Sequence, residues 1–333
     1  MSKNRMAVIK QRPLDVPSQD DFAVVAAPMP TPEPGQVLLE TVYVSVDPYV
    51  RVAIDDRTTT LFGAAQPLDT PLMGKTISRV VESRSELFHP GEHVMALSGW
   101  QKFAVADAES LQKLDPDVAP LSWWLGVLGT TGFAAYVGTT QVAPPAAGQT
   151  YVVTSAAGAT GSIAGQIAGQ RGARVIGIAG AKEKCDYVVN DLGFAGCVSH
   201  HAEDLVAALA EQCPDGVDHS FENVGGKPLE AVLELIKPGG IVALCGVIGS
   251  YNQANRTPGP NLWPLVRIGA SIRGFRLPDY QHVREQFIHD MLGWLNAGKI
   301  KHREEVMTGI ECAGEAYNRL MTSNSAGKIV VKL

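Results

Sequence analysis

The chain has 333 residues, 45% of them hydrophobic and 19% charged, enough for two globular domains with sizeable cores. Its net charge of −6 offers no basic face, so charge alone argues against nucleic acid and anionic membranes as partners. Five cysteines, an odd number with no CxxC pair and none before Cys185, argue against a disulfide framework.

The N-terminal MSKNRMAVIKQRP carries basic residues with no apolar segment behind them, and no apolar run is long enough to span a bilayer. The expectation is a cytoplasmic protein. The first third then reads as short strands punctuated by Pro and Gly: PGQVLLETVYVSVD, GKTISRVVES and GEHVMALSGWQKFAVAD. Little helical periodicity separates them, which predicts a small β-barrel-like domain. Near Pro120 the pattern changes, and LSWWLGVLGTTGFAAYVGTTQ reads as a helix rich in small residues.

From residue 150 strands and helices alternate. TYVVTSA, RVIGIAG, GCVSHH, GVDHSFENV and GGIVALCGVIG are strands, with helical GSIAGQIAGQRG, AKEKCDYVVNDLG, AEDLVAALAEQC and KPLEAVLELIK between them. Such alternation predicts βαβ units and a doubly wound parallel sheet. The amphipathic QHVREQFIHDMLGWLNAG follows, and the tail reads strand, helix, strand. The tail does not extend the alternation, so it is expected to return to the first domain. The expected division is residues 1–120 with 299–333 for the β domain and 121–298 for the dinucleotide domain.

The segment TSAAGATGSIAG has the spacing of a dinucleotide fingerprint with Ala156 in place of the first glycine. Gly158 and Gly161 hold the two later places, where backbone must approach the pyrophosphate and the helix must pack on the strand. The amides of Ala159, Thr160, Gly161 and Ser162 would then point at phosphate from a helix N-terminus. A chain that binds NAD usually places an acid at the tip of the second strand, for the ribose hydroxyls. Here that window holds Ala179, Gly180 and Ala181, followed by Lys182 and Lys184. A 2′-phosphate is not repelled there, and NADPH is preferred over NADH.

SVDPYVR, AAGATGSIAGQIA, FENVGG, CGVIGSYN and AGKIVVKL occur in order along nearly the whole chain. Together they resemble the zinc-independent medium-chain dehydrogenases/reductases. Within these, the chain is most similar to the NADPH-dependent alkenal/one reductases, among them leukotriene/prostaglandin 13-reductases, plant double-bond reductases and curcumin-reductase-like enzymes. The resemblance implies a GroES-like β-barrel domain beside a Rossmann domain, NADPH as cofactor, and often a homodimer. It places Lys184 at the 2′-phosphate, with His200 where the family has a tyrosine and His201 as its competitor. It places Asn223 at the cofactor, with Glu222 where the family usually has Asp, and the run Cys245, Gly246, Val247 to Tyr251, with Phe275, against the nicotinamide. Tyr49 corresponds to a pocket-lining residue, and Arg51 is expected to order the domain interface. Thr130 and Thr131 replace Met and Pro beside the reacting ring. The family's Asn-x-Gly-Lys becomes Ser325-Ala326-Gly327-Lys328, so either Ser325 or Asn324 supplies that cofactor contact.

Related alcohol dehydrogenases hold zinc with Cys and His, yet the first domain here has no cysteine. Ser45 stands in place of a ligand cysteine and Lys75 in place of a Gly-His-Glu, and His89 and His93 read as a surface turn pair. No metal is expected. Without a Lewis acid, reduction of an electron-poor C=C bond is the natural chemistry. Hydride reaches the β-carbon of a small hydrophobic enone or enal, and charge moves to the carbonyl oxygen. Tyr251 is the candidate donor to that oxygen; the ribose hydroxyl and water are the alternatives. Trp100, Tyr280 and the pair Trp123–Trp124 are aromatic candidates for pocket or core. Competing readings are a quinone reductase of the ζ-crystallin type and a non-enzymatic nucleotide-binding protein. The stretch AIDDRTTTLFGAAQPLDTP is expected to cover the pocket, but its chemistry is unreadable.

Overall fold

A computed structural model describes residues 3–57, 64–253, 259–325 and 327–333. In chain order the elements are β1 (Asn4–Ile9), β2 (Phe22–Ala27), β3 (Gln36–Ser45), α1 (Tyr49–Ala53), β4 (Thr76–Ser83), β5 (His93–Ala96), β6 (Phe103–Asp107) and β7 (Gln112–Leu114). Next come α2 (Thr130–Val137), β8 (Thr150–Thr154), α3 (Ala159–Gln170), β9 (Arg174–Ala179), α4 (Lys182–Asn190), β10 (Gly196–Ser199), α5 (Leu205–Gln212), β11 (Val217–Glu222), α6 (Gly226–Leu235) and β12 (Ile236–Leu244). The last are α7 (Trp263–Ile268), β13 (Ser271–Gly274), α8 (Arg284–Asn296), β14 (Glu304–Thr308), α9 (Ala313–Met321) and β15 (Lys328–Lys332). They form two units, Met1–Gly126 with Glu304–Leu333, and Val127–Arg303.

The first unit is built on a mixed sheet of order β14-β15-β3-β4-β5-β7, with β6 also paired to β3 and a separate β1–β2 hairpin. The C-terminal strand β15 pairs antiparallel with β3, setting Val330 opposite Ser45. Ile9, Phe22, Val44, Ile54, Trp100 and Tyr317 share one core. Phe22 and Trp100 both pack on the Tyr317 ring, at centroid distances of 5.9 and 5.7 Å. Trp100 is therefore core rather than pocket. The stretch GEHVMALSGWQKFAVAD, read as one strand, is two. Between them Gly99 has φ +73, and a Cβ there would meet the Leu72 carbonyl oxygen at 2.9 Å. Only glycine allows that turn.

The second unit carries a six-stranded sheet of order β10-β9-β8-β11-β12-β13, parallel throughout. Its strands run outward from β8 in one direction, then resume at β11 on the other side. That reversal makes the carboxyl ends of β8 and β11 the place where such sheets bind ligands. All five residues of β8 are buried, as expected of a strand covered on both faces. Val152, Ile176, Ile178, Leu209, Val232 and Val242 form the core beneath the helices. α3 is closely approached at its small residues: a Cβ on Gly165 would lie 2.0 Å from the ring of Phe194, in the connection between α4 and β10. The helix read over 121–141 is broken. A 3-10 turn covers Leu121–Leu125, and α2 begins only at Thr130. A Cβ on Gly132 would sit 1.8 Å from the Val127 carbonyl oxygen, so the chain folds back on itself there instead of continuing. α7 and β13 had no clear signal in the sequence.

Candidate cofactor and substrate sites

The pyrophosphate turn is built by steric exclusion. Ser155 adopts φ +51, and Gly158 caps α3 with no side-chain hydrogen bond. A Cβ on Gly158 would meet Ser155 Oγ at 2.7 Å, and one on Gly161 would meet the Ser155 carbonyl oxygen at 2.3 Å. Ala159, Thr160 and Gly161 form the first turn of α3, whose N-cap supplies no side-chain hydrogen bond. Ser162 is buried, 3.4 Å from the Ala159 carbonyl oxygen. Ala156, which stands for the first glycine, is fully buried, and its methyl lies 2.8 Å from where a Cβ of Gly177 would be. The missing glycine at 156 is thus matched by a glycine on the adjacent strand β9.

On the adenosine side, the tip of β9 offers no carboxylate. Lys182 is exposed and paired with Asp186 at 2.6 Å, the ordinary reading of a solvated first turn. Lys184 is half-buried, and burial lowers its pKa. His200 follows β10, its amide bonded to the Ala179 carbonyl, and its ring lies 3.3 Å from the Cβ position of Gly180. Its pKa is lowered by desolvation first, then by the charges of His201 and Lys184. The His201 ring lies beside it at 4.1 Å. Lys184 and His200 are therefore close enough to feel each other, and an anion bound beside them would favour a proton on the His200 ring.

Three loops meet at the carboxyl ends of β8, β11 and β12. Asn223 donates from its backbone to Thr154 Oγ1 and from its side chain to the Thr154 carbonyl, both at 2.8 Å. The Cys245 and Gly246 amides donate to the Glu222 carbonyl at 2.9 and 3.2 Å, and Ile248 donates to the Asn223 carbonyl at 3.0 Å. Desolvation, and then the charge of Glu222, raise the Cys245 thiol to about 12. Tyr251 ends the turn after β12, and its hydroxyl accepts a long bond from Val247 N–H at 3.5 Å. Desolvation raises its pKa. Phe275 packs edge-to-face on Phe221 and Tyr280 at 6.4 Å each.

In the first unit Tyr49 opens α1, where burial and then Asp47 raise its pKa. Arg51 is fully buried, bonded to Asp55 and to the carbonyls of Pro13 and Asp15. These partners all lie within the first unit. Ser325 precedes β15, while the Asn324 side chain donates to Thr322 at the end of α9. Thr131 is buried at the start of α2. Of the stretch expected to cover the pocket, residues 58–63 lie outside the described residues.

The sequence reading named Glu222 and Lys328 only within motifs and missed the buried pairings they make. One is Glu222 with Thr154. The other is Lys328, whose ammonium donates to Asp47 and to the Val46 carbonyl at 2.7 and 2.6 Å, with Ser45 on the other Asp47 oxygen at 2.6 Å. The signal for the first was an acid ending a strand before a glycine turn. For the second there was none, because its partners stand at opposite ends of the chain.

A chain with a GroES-like β unit and a Rossmann unit has the make-up of the medium-chain dehydrogenases/reductases. Residues 5–114 match the family described as "N-terminal domain of oxidoreductase", and residues 159–295 match "Zinc-binding dehydrogenase". NADPH-dependent curcumin reductase of Escherichia coli is 37% identical, over 99% of this chain and 97% of its own. Rat (Rattus norvegicus) prostaglandin reductase 1 is 35% identical over 95% of each. The crystal structure of CurA in complex with NADPH, from Vibrio vulnificus, superposes with a TM-score of 0.93 at 38% identity, covering 98% of both chains. The chain belongs to the medium-chain dehydrogenase/reductase family of curcumin, prostaglandin and 2-alkenal reductases.

The zinc in the second family description does not fit the residues present. Among the described residues no three His, Cys, Asp or Glu side chains converge to hold a metal ion. At Ser45, the position of a ligand cysteine in related dehydrogenases, Asp47 is already taken by the Lys328 ammonium. No step is assigned to a metal.

Proposed function

We propose that this chain is an NADPH-dependent reductase of the C=C bond in α,β-unsaturated ketones and aldehydes, acting on small hydrophobic substrates. The observation that carries the reading is the uncapped N-terminus of α3 on the same unit as a carboxylate-free strand tip faced by Lys184 and His200. The residues fit the cofactor. The cleared space at Gly158 and Gly161 lets backbone reach a pyrophosphate, which the amides of Ala159 to Ser162 would hold. Lys184 and His200 would hold the 2′-phosphate, and Asn223, Cys245 to Val247 and Phe275 the nicotinamide half. Ser325, whose neighbour Asn324 is turned to Thr322, keeps the cofactor contact, and Tyr49 the substrate side.

When bound, NADPH supplies the hydride that reaches the β-carbon. The chain's part is to stabilise the charge that then collects on the carbonyl oxygen. Desolvation keeps the Tyr251 phenol protonated at neutral pH. Its oxygen accepts from Val247, which leaves its own proton free to point at the substrate oxygen. The α-carbon takes its proton from Tyr251 or from water, with the ribose hydroxyl as the alternative donor to oxygen. Turnover of NADPH with 3-nonen-2-one, followed by absorbance and compared with a quinone, tests the reading. Enone reduction well above quinone reduction is the expected result. Turnover of quinone alone, or NADPH binding without turnover of either, overturns it.

The working form is proposed to be a cytoplasmic homodimer. Leu262, Trp263 and Val266 are 52, 64 and 73% exposed beside β13, which forms an open edge of the parallel sheet. No helix among the described residues is long and apolar enough to cross a membrane.

A further inference from the structure

Glu222 is fully buried at the carboxyl end of β11, beside the point where the strand order reverses. Its Oε1 accepts three hydrogen bonds: from Thr154 Oγ1 at 2.9 Å, from the Val224 amide at 2.6 Å and from the Gly225 amide at 2.8 Å. Its Oε2 is buried with no partner among the described residues. Its backbone carbonyl takes the Cys245 and Gly246 amides. Thr154, which spends its hydroxyl proton on Glu222, accepts in turn from the Asn223 amide. One residue thus touches the end of β8 that leads into the pyrophosphate turn, the Asn223 loop and the Cys245–Tyr251 loop. A charge needing only burial would not gather three donors on one oxygen, and a packing residue would not be an acid.

We propose that Glu222 is the positioning residue of the nicotinamide half of the cofactor site, holding the loops of Asn223 and of Cys245–Tyr251 in register with the end of β8. The proposal rests on the cofactor assignment above and adds a residue that does not itself face the ligand. Oε1 is the working atom, and an oxygen there can accept from Thr154, Val224 and Gly225 whether residue 222 is a glutamate, a glutamic acid or a glutamine. Burial raises the carboxyl to about 7 against its hydrogen bonds, which accords with Oε2 having no donor to hold a charge. The geometry separates this role from general support of the fold. The adenosine corner at Lys184 and His200 hangs on β9, α4 and β10, and makes no bond to Glu222.

Two probes read that separation, NADPH and 2′,5′-ADP, which lacks the nicotinamide. In Glu222→Ala the NADPH Kd rises by about tenfold or more, the loss expected when three buried donors lose their acceptor, while the 2′,5′-ADP Kd stays within about threefold. Glu222→Gln keeps an oxygen at Oε1 and binds NADPH within about threefold of wild type. Should Glu222→Ala fail to fold, Thr154→Val, which removes only the hydroxyl, raises the NADPH Kd by about fivefold with 2′,5′-ADP again unaffected. Wild-type NADPH affinity in Thr154→Val or in folded Glu222→Ala overturns the proposal. So does equal weakening of both ligands, which marks general damage. Failure of the wild-type protein to bind NADPH overturns the cofactor assignment instead.

Discussion

At the scale of single residues, the corner made by Lys184 and His200 is the most sensitive point. Removing a charge-assisted contact to phosphate costs roughly 10- to 100-fold in affinity. Lys184→Ala is therefore expected to weaken NADPH by about that factor and leave NADH unchanged, as read by calorimetry on both. The His200 ring is held below its ordinary pKa by desolvation, His201 and Lys184, so the free protein leaves it neutral at pH 7. A bound 2′-phosphate reverses that preference and raises its pKa, so binding takes up a proton. By reciprocity, affinity improves as pH falls through the pKa of the bound form and levels off below that of the free form. The NADPH Kd of wild type is expected to fall between pH 8 and pH 6 relative to that of His200→Tyr, which has no titration in that range. Parallel profiles for the two proteins would remove His200 from the phosphate site. For Tyr251→Phe, kcat should drop roughly 100-fold, the usual loss for one donor to a developing oxyanion, with NADPH Kd unchanged. An unchanged kcat would pass the donor role to the ribose hydroxyl or to water.

At the scale of elements, what matters is how strand ends are fastened. Glu222 closes the switch between β8 and β11, and its buried carboxyl is raised to about 7 by desolvation, with its hydrogen bonds opposing. A group whose folded pKa lies above its unfolded value stabilises at low pH and loses that contribution as pH rises. Cys245, raised to about 12, is the neighbouring titratable group and stays neutral throughout. From about pH 4.5 to pH 7 the fold should therefore lose on the order of 3 kcal/mol from this one residue, since each tenfold change in proton affinity is worth about 1.4 kcal/mol. Urea titrations across that range should show the slope in wild type and a flatter one in Glu222→Gln. The first unit is fastened differently. β15 is tied to the turn after β3 by the buried Lys328–Asp47 pair, both ends at most 9% exposed. Lys328→Met leaves Asp47 as an uncompensated buried charge, and is expected to cost about 3–5 kcal/mol. A chemical denaturation midpoint close to wild type would contradict that. Such fastenings were only partly legible in the sequence. The fingerprint turn was readable because its residues are consecutive and its steric demand falls on glycine. Thr154 with Glu222, and Asp47 with Lys328, were not, since hydrogen bonds between residues far apart in the chain leave no local periodicity.

At the scale of the whole molecule, the open edge at β13 and the exposed Trp263 and Val266 bear on association. Replacing both side chains by glutamate is expected to turn a dimer into a monomer, measured by light scattering on a sizing column. A monomeric wild-type protein would refute the proposed assembly. By itself the sequence determined the fold class, the strand-helix alternation and the preference for NADPH. Each of these is written in neighbouring residues: a hydrophobic period, a glycine spacing, an acid missing from a strand tip. The opening strands lacked so clear a pattern, and the first hairpin, α7 and β13 went unread. The break before α2 was also invisible. It follows from one carbonyl lying where a Cβ on Gly132 would stand, a clash that exists only once the chain has turned. The tertiary structure alone decided which polar groups are buried together. It placed Ala156 against Gly177 and Lys328 on Asp47, and gathered three donors on one oxygen of Glu222. Burial and pairing are properties of the packed chain, so the energies that hold the site together appear only when its distant segments meet.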